Sequence, residues 1–488
     1  MNTPSIKKNF IMNALLTMSS FIFPLITFPY VSRVLLPVGT GKVQFAASFV
    51  AYFNMIAQLG IPTYGIRACA KVREDRQTLT RTAHELLMIN LGMCLVSYIA
   101  LGLCIAFIPR VNQEKTLFLI ISMTLLLNAI GMEWLYKALE QYTYITVRSV
   151  AFKLVSVAAM FLLVHKQEDY VVYGAITIFA ASASNILNFI NVRKYISLRP
   201  VGGYSYKRHL KAVLVFFAMA CAVTIYTNLD EVMLGFMKTD ADVGYYHAAV
   251  KIKNILVSIV TALGAVLLPR ASYYIEHGQK EEFTRITRKA MHFVILSASP
   301  LMLFFMMYAR EGILFLSGSA FEPSVLPMQI IMPTVLLIGV TNVLGIQMLV
   351  PLGREEVVLQ SEIAGAAVDL VLNLILIPRY GAAGAAIGTL AAEAVVLVVQ
   401  YTALKENIGE FFYSFPYVKV LTAIICAAVL SVWTKILSIS SFLSLMISGM
   451  CFFLTYFGIM FLFRDPMLIV IFEQGRAKVR GLSKWRSL

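Results

Sequence analysis

The sequence predicts an all-α polytopic membrane protein of fourteen transmembrane helices. Three observations carry that prediction. Hydrophobic residues make up 59% of the 488 positions and charged residues 14%, with a mean hydropathy of +0.77; soluble domains run ~45–50% apolar and ~25% charged. Apolar stretches of ~20 residues, the length that crosses ~30 Å of hydrocarbon, recur along the whole chain. Lys and Arg gather in alternate connecting segments. This composition excludes a cytosolic enzyme, a disordered chain and a disulfide scaffold. The net charge of +15 then reads as membrane orientation, not as an affinity for nucleic acid.

Taken in order, the first apolar run follows Lys7 and Lys8 and extends from Phe10 to Val34. It is too long for a signal-peptide core, has no small-residue cleavage site and is followed by further spans. It is therefore the first transmembrane helix, and Pro24 and Pro29 should kink it. The fourteen spans are 10–34, 43–65, 85–108, 116–136, 145–164, 170–190, 212–237, 244–268, 290–309, 325–349, 357–378, 382–404, 418–437 and 442–463. With the N-terminus inside, the inner segments hold 27 of the 41 Lys and Arg residues, the outer loops 7 and the spans 7. That asymmetry places both termini in the cytoplasm. The longest loops, 191–211 and 269–289, are both cytoplasmic, so no outer loop is long enough to fold alone. The tail 464–488 carries Arg476, Lys478, Arg480, Lys484 and Arg486 and suits an anionic lipid surface. Gly381 to Gly388 forms a small-residue face for close helix packing. Six cysteines without a CxxC pair, and six scattered histidines, indicate no disulfide framework and no metal site.

An internal repeat organises the spans. Val31-Ser-Arg-Val-Leu-Leu-Pro followed by Gly41-Lys-Val-Gln-Phe-Ala-Ala is echoed by Asp230-Glu-Val-Met-Leu-Gly followed by Gly244-Tyr-Tyr-His-Ala-Ala-Val. Leu59-Gly60 and Arg67-Ala68 recur as Leu263-Gly264 and Arg270-Ala271, at offsets of 203 to 204. Six spans separate the copies, so both insert the same way up. A parallel repeat of this kind is one of the layouts of secondary transporters. It divides the chain into an N-lobe (1–190), a cytoplasmic linker (191–211), a C-lobe (212–404), two extra helices (405–463) and the basic tail. Alternating access uses such symmetry to expose a central site to each side in turn.

Several segments carry a resemblance. They are Tyr30-Val-Ser-Arg-Val-Leu, Tyr64-Gly-Ile-Arg, the stretch from Glu133-Trp-Leu-Tyr to Thr146-Val-Arg148, Thr227-Asn-Leu-Asp-Glu-Val-Met-Leu-Gly, and Asn373-Leu-Ile-Leu-Ile-Pro-Arg-Tyr-Gly. Together they are similar to the Wzx-type polysaccharide flippases of the multidrug/oligosaccharidyl-lipid/polysaccharide exporter superfamily. The match runs from about residue 7 to 463. The family norm of Gly-Pro after Val-Leu is replaced here by Leu36-Pro37, a departure that touches no charged position. The resemblance implies a two-lobed flippase in a bacterial plasma membrane. It would move undecaprenyl-pyrophosphate-linked oligosaccharide units to the outer leaflet for O-antigen, capsule or exopolysaccharide synthesis, in the company of polysaccharide polymerase machinery.

Charges at membrane depth are the candidate site. Each costs ~2.5–3.5 kcal/mol on insertion scales and so faces a cavity or a partner. The candidates for a cationic, substrate-binding cavity are Arg33, Lys153, Lys251 and Lys253. Lys153 has no acid three or four residues away. Lys251 and Lys253 point about 200° apart on a helix, so one is expected to pair with Asp230 or Glu231 while the other faces the cavity. Arg148, Lys419 and Lys435, near span ends, can snorkel. Arg67 and Arg270, at equivalent repeat positions, are gate candidates. Glu133 is expected at the interface beside Trp134 and Tyr136. Asp230, Glu231, Asp369 and Glu393 are candidates for ion pairing or for coupling to H⁺ or Na⁺. A pyrophosphate crosses hydrocarbon only where cations replace its hydration, through charge-assisted hydrogen bonds. No catalytic residue, cofactor site or metal site is indicated.

Three other readings compete. A lipid II flippase would share the cationic cavity. A drug/cation antiporter would want acids in the lumen. A membrane glycan polymerase or ligase would want a large outer domain.

Overall fold

The computed structural model describes residues 6–413, 415–436 and 439–469. The expected basic residues from Arg476 to Arg486 lie outside them. Every regular element among the described residues is helical. The α-helices are α1 (Ile6–Gln58), α2 (Ile61–Ala70), α3 (Arg76–Phe107), α4 (Pro109–Gln113), α5 (Lys115–Gly131), α6 (Glu133–Ala138), α7 (Tyr142–Leu163), α8 (Tyr170–Ile178), α9 (Asn185–Asn191) and α10 (Lys207–Met237). They continue as α11 (Asp240–Glu276), α12 (Lys280–Met307), α13 (Ala309–Ser317), α14 (Val325–Ile331), α15 (Thr334–Thr341), α16 (Glu355–Tyr380), α17 (Ala382–Tyr413), α18 (Tyr417–Val432) and α19 (Ser441–Leu462). Among the described residues, eleven helical stretches are long and apolar enough to cross a bilayer. There are thirteen if each of two pairs bent by 42° and 43° counts as one span.

The longest helix carries a break of its own. α1 runs for 53 residues, and its single non-helical residue is Leu36, at φ 58° and ψ 177°. At 1.5 Å per residue it is roughly 80 Å of helix, more than twice the hydrocarbon thickness. Pro24 and Pro29 lie inside helical backbone, and the one break in that backbone falls at the residue before Pro37. The following ring disfavours the α region there, and a positive φ on a leucine is a strained state that the surrounding packing must hold.

The chain forms two compact units, Met1–His247 with Ile377–Ala382, and Ala248–Leu376 with Ala383–Leu488. In the first, α3 begins where Asp75 accepts hydrogen bonds from the Gln77 N–H and the Thr78 hydroxyl, an N-cap that satisfies otherwise orphaned donors. The Thr78 hydroxyl, with the Gln77 amide, holds the Asp75 carboxyl below the usual carboxylate range. One apolar cluster gathers Ile61, Cys69, Leu79, Leu86, Trp134 and Leu135 from α2, α3 and α6. Trp134 and Tyr136 are 3% and 0% exposed, so both rings pack inside the protein. The Trp134 ring closes on Gly65, where a Cβ would collide with it.

The repeat has a structural counterpart inside this unit. Gly41 packs against the Asp240 carbonyl and the Gly244 nitrogen, while Gly244 packs against the backbone of Pro37. An offset of 203 carries Pro37 onto Asp240 and Gly41 onto Gly244. The two contacts therefore exchange into one another, which is the signature of a two-fold relation. A Cβ at either glycine would strike backbone, which cannot rotate away. Gly41→Leu and Gly244→Leu should each cut the yield of monodisperse protein on size-exclusion chromatography. Gly92→Ala, whose Cβ would meet nothing within 4 Å, should be tolerated.

In the second unit, tyrosines tie helices through backbone carbonyls. Tyr308 donates to the Ser431 carbonyl at 2.7 Å and Tyr456 to the Leu296 carbonyl at 2.9 Å. Beyond α19, Asp465 accepts from His292 at 2.8 Å. Burial works against the Asp465 charge, but the His292 contact and the Leu468 and Met467 amides bring its carboxyl below the usual range.

Candidate functional site

α7, long and apolar enough to cross a bilayer, carries two cations in the first unit. Lys153 is half-buried, and its ammonium donates to the Ser19 and Ser20 hydroxyls of α1 at 2.8 and 2.9 Å. It is thus positioned by neutral oxygens, with no acid one turn away on its own helix. Arg148 was expected to snorkel. Instead it is 6% exposed, donating to Asn185 at 3.1 Å with Glu133 at 3.6 Å. Asn185, just after the π-helical turn Phe179–Ala183, supplies the acceptor that holds the guanidinium inside. Asn185 and Ser182 both donate to Asn128, at 3.1 and 3.2 Å, and Asn128 donates to Asn54 at 3.3 Å. A string of amides and hydroxyls thereby joins α1, α5, α9 and α7. Glu133 also pairs with Lys137 at 2.8 Å.

Arg33 is exposed and donates to the Pro29 carbonyl at 2.5 Å. Lys435 reaches the Met307 carbonyl at 2.6 Å and Lys419 the Phe463 carbonyl at 3.2 Å. The two acids of α10 have different surroundings. Asp230, 7% exposed, accepts from the Tyr246 hydroxyl. Glu231, 5% exposed, accepts from Gln44 at 2.6 Å, from the Ser48 hydroxyl, and faces His247 Nδ1 at 2.9 Å. In the second unit Lys251 and Lys253 are half-buried on α11. Asp369 and Glu393 are 1% and 6% exposed, and Gly388 of α17 lets Asp369 and Asn373 of α16 approach its backbone. Arg270 is exposed on α11. Arg67 lines an open cavity of about 930 Å³ with Lys71, Arg73, Glu74, Asp75 and Thr78.

Sequence reasoning missed two clusters. Glu85, fully buried, accepts from the Ser205 amide at 2.6 Å, from Arg208 at 2.5 Å, and contacts His209 at 2.7 Å. His209 in turn meets the Tyr64 hydroxyl at 2.8 Å. Beside it His84 contacts Tyr204 and the Ser197 carbonyl. The segment after span 6 is therefore fastened to α3. The other cluster is the set around Glu231. In both, the partners are too far apart in sequence for any spacing rule to join them; only the acids at the start or interior of an apolar run gave a signal.

The fold and composition define a multi-pass helical membrane protein whose apolar helices carry buried cations, amides and hydroxyls. The chain belongs to the polysaccharide biosynthesis protein family, whose model matches residues 6–275. It is 23% identical over 408 residues to a putative O-antigen transporter of Escherichia coli K12, covering 83% of this chain and 98% of the relative. It is 22% identical to a probable low-salt glycan biosynthesis flippase, Agl15, of Haloferax volcanii, over 58% of this chain and 56% of that protein. Among solved structures it is similar to the lipid II flippase MurJ in an inward closed conformation, with a TM-score of 0.74 at 15% identity, covering 94% of this chain and all of that one. An inward-facing multidrug resistance MATE family transporter of the MOP superfamily gives a TM-score of 0.62 at 12% identity, over 83% of this chain and 99% of the other.

Proposed function

We propose that this protein is a flippase that carries undecaprenyl-pyrophosphate-linked oligosaccharide units from the inner to the outer leaflet of a bacterial plasma membrane. The observation that carries the reading is Lys153, a half-buried cation on α7 whose ammonium donates to the neutral Ser19 and Ser20 hydroxyls, which position its charge without cancelling it. Family membership and the O-antigen transporter relatives favour the polysaccharide branch over lipid II or a cationic drug. On this reading α1 supplies both spans 10–34 and 43–65, which brings the span count to fourteen with both termini cytoplasmic. Spans 1–6 and 7–12 act as two lobes. Arg33, Lys153, Lys251 and Lys253 receive the pyrophosphate by charge-assisted hydrogen bonds. Arg67 and Arg270 gate the cytoplasmic side, and Asp230, Glu231, Asp369 and Glu393 serve pairing or coupling to H⁺ or Na⁺. The prenyl tail stays in lipid, and the polymerase machinery takes the unit on the outer side.

Deleting the gene in its host should trap lipid-linked oligosaccharide where an impermeant sugar oxidant cannot reach it in intact spheroplasts. A polymerase would instead leave the accumulated units reachable from outside. Lys153→Met should keep the protein folded and lower export by roughly tenfold or more, as expected for losing one charge-assisted hydrogen bond worth ~1.5–3 kcal/mol. A normal polymer level in that variant removes Lys153 from the site.

A further inference from the structure

We propose that Arg110 is the latch of an outer gate: it ties the two copies of the internal repeat together over an aromatic plug, and export requires that tie to open. The proposal deepens the flippase reading and rests on it; the cytoplasmic gate candidates of that reading, Arg67 and Arg270, are at the opposite end. Arg110 lies on α4, in the connection between spans 3 and 4. Its guanidinium pairs with Asp240, the first residue of α11, and its Nε donates to the Gly235 carbonyl of α10 at 3.1 Å. Both acceptors flank the turn between spans 7 and 8, which the offset of 203 makes the repeat equivalent of the turn between spans 1 and 2. One cation of the first copy thus holds the second copy by two hydrogen bonds. The bond to Asp240 has a charge on each side, which is the strong kind.

The neighbouring contacts sit at the same end of the spans. Lys42 pairs with Glu114, and the Tyr170 hydroxyl donates to the same carboxylate at 2.7 Å, with the Lys42 ammonium 4.6 Å from the Tyr170 ring centre. This second ion pair braces the segment that carries Arg110. The Asp242 carboxylate fills the place that a side chain on Gly381 would take. All these residues fall in, or at the edge of, the connections after spans 1, 3, 5, 7 and 11. Every one of those connections is odd in number, so they share the outer side in the orientation of the flippase reading. The positive-inside bias keeps cations away from that side. Lys42 and Arg110 are there with an acid against each.

An apolar seal adjoins the latch. The Arg110 guanidinium lies 5.5 Å from the Phe45 ring centre, a cation–π contact. Phe45 and Phe49 of α1 meet Phe118 of α5 and Phe236 of α10 edge to face, with ring centres 5.2 to 5.9 Å apart, the arrangement that aromatic quadrupoles favour. Phe45 closes on Gly235, where a Cβ would collide with its ring. The plug bridges the copies as the latch does, since α1 and α5 belong to the first and α10 to the second. A hydrated oligosaccharide passes only where α10 draws away from α1, and the Arg110 contacts oppose that motion. The tie is also reversible. The Arg110 and Asp240 side chains are 28% and 12% exposed, so water can take over both charges when the copies part, whereas a fully buried pair would be left uncompensated.

The test reads the gate by accessibility. In the full chain, with its six cysteines replaced by Ala, Ser48→Cys places a thiol on α1 about one turn further into the span than Phe45, at a position 1% exposed. Its labelling by an impermeant maleimide is timed in intact spheroplasts and normalised to the chain in the membrane fraction. The parent should label slowly. Arg110→Ala and Asp240→Arg should each label faster by about tenfold or more, the shift in open population expected for losing one charge-assisted hydrogen bond. The exchanged pair, Arg110→Asp with Asp240→Arg, should bring the rate back towards the parent's, which a folding defect in the single variants would not do. Arg110→Ala labelling at the parent's rate, or an exchanged pair as fast as Asp240→Arg alone, overturns the latch and leaves the flippase reading standing. A deletion strain that traps no lipid-linked oligosaccharide inside overturns the flippase reading, and the latch loses its role in export with it.

Discussion

Replacing Glu85 with Ala will lower the thermal midpoint of the purified protein more than any other single carboxylate substitution in the first unit. The side chain is fully buried and serves the Ser205 amide, the Arg208 guanidinium and His209 at 2.5 to 2.7 Å. Removing one partner of such a buried pair costs ~3–5 kcal/mol, because the donors left behind have lost both water and acceptor. The low end applies here, since the Arg208 side chain is 44% exposed and can turn to solvent. Arg208→Ala should therefore cost less than Glu85→Ala, and Glu85→Gln should fall between them because its amide oxygen still accepts. Thermal unfolding in detergent followed by size-exclusion chromatography ranks the three. Equal midpoints for Glu85→Ala and wild type would falsify the fastening role of this carboxylate.

The double variant Lys251→Ala with Lys253→Ala should abolish polymer at the cell surface. Two half-buried cations on one helix carry an insertion penalty of ~2.5–3.5 kcal/mol each, so removing them should not weaken insertion. Their loss should act on the substrate instead. Truncating one member of a desolvated charge pair costs ~2–5 kcal/mol, roughly thirtyfold to several thousandfold in rate, and two together exceed what export can absorb. The measurement is surface polysaccharide by immunoblot, normalised to flippase in the membrane fraction. Lys251→Arg with Lys253→Arg should retain part of the activity, because the charge stays while its geometry changes. Full export by the double Ala variant would remove both residues from the site.

Much of the architecture was legible before any coordinate. Apolar length, the alternation of Lys and Arg, and the offset of 203 between Gly41 and Gly244 are properties of the chain read along its length. Hydrocarbon imposes them, because a span must be about 20 residues long and satisfy its own backbone. The site was less legible. Lys153 stood out because a cation without a neighbouring acid is visible in sequence, yet its serine partners lie more than 130 residues away. Arg148 was misjudged for the same reason: proximity to a span end suggested snorkelling, while its acceptor Asn185 lies in another helix 37 residues on. The backbone break at Leu36, before Pro37, was not read from the sequence, where Pro24 and Pro29 drew attention as kinks.

By itself the sequence determined that this chain lives in a membrane, how often its apolar runs recur, that it repeats, and which family it resembles. The tertiary structure alone decided which polar groups meet: Glu85 with Ser205, Arg208 and His209, and Glu231 with Gln44, Ser48 and His247. The physical reason is range. Burial in lipid is a property of each segment and is written locally, whereas a buried charge is satisfied by whatever the packing of distant helices brings within about 3 Å.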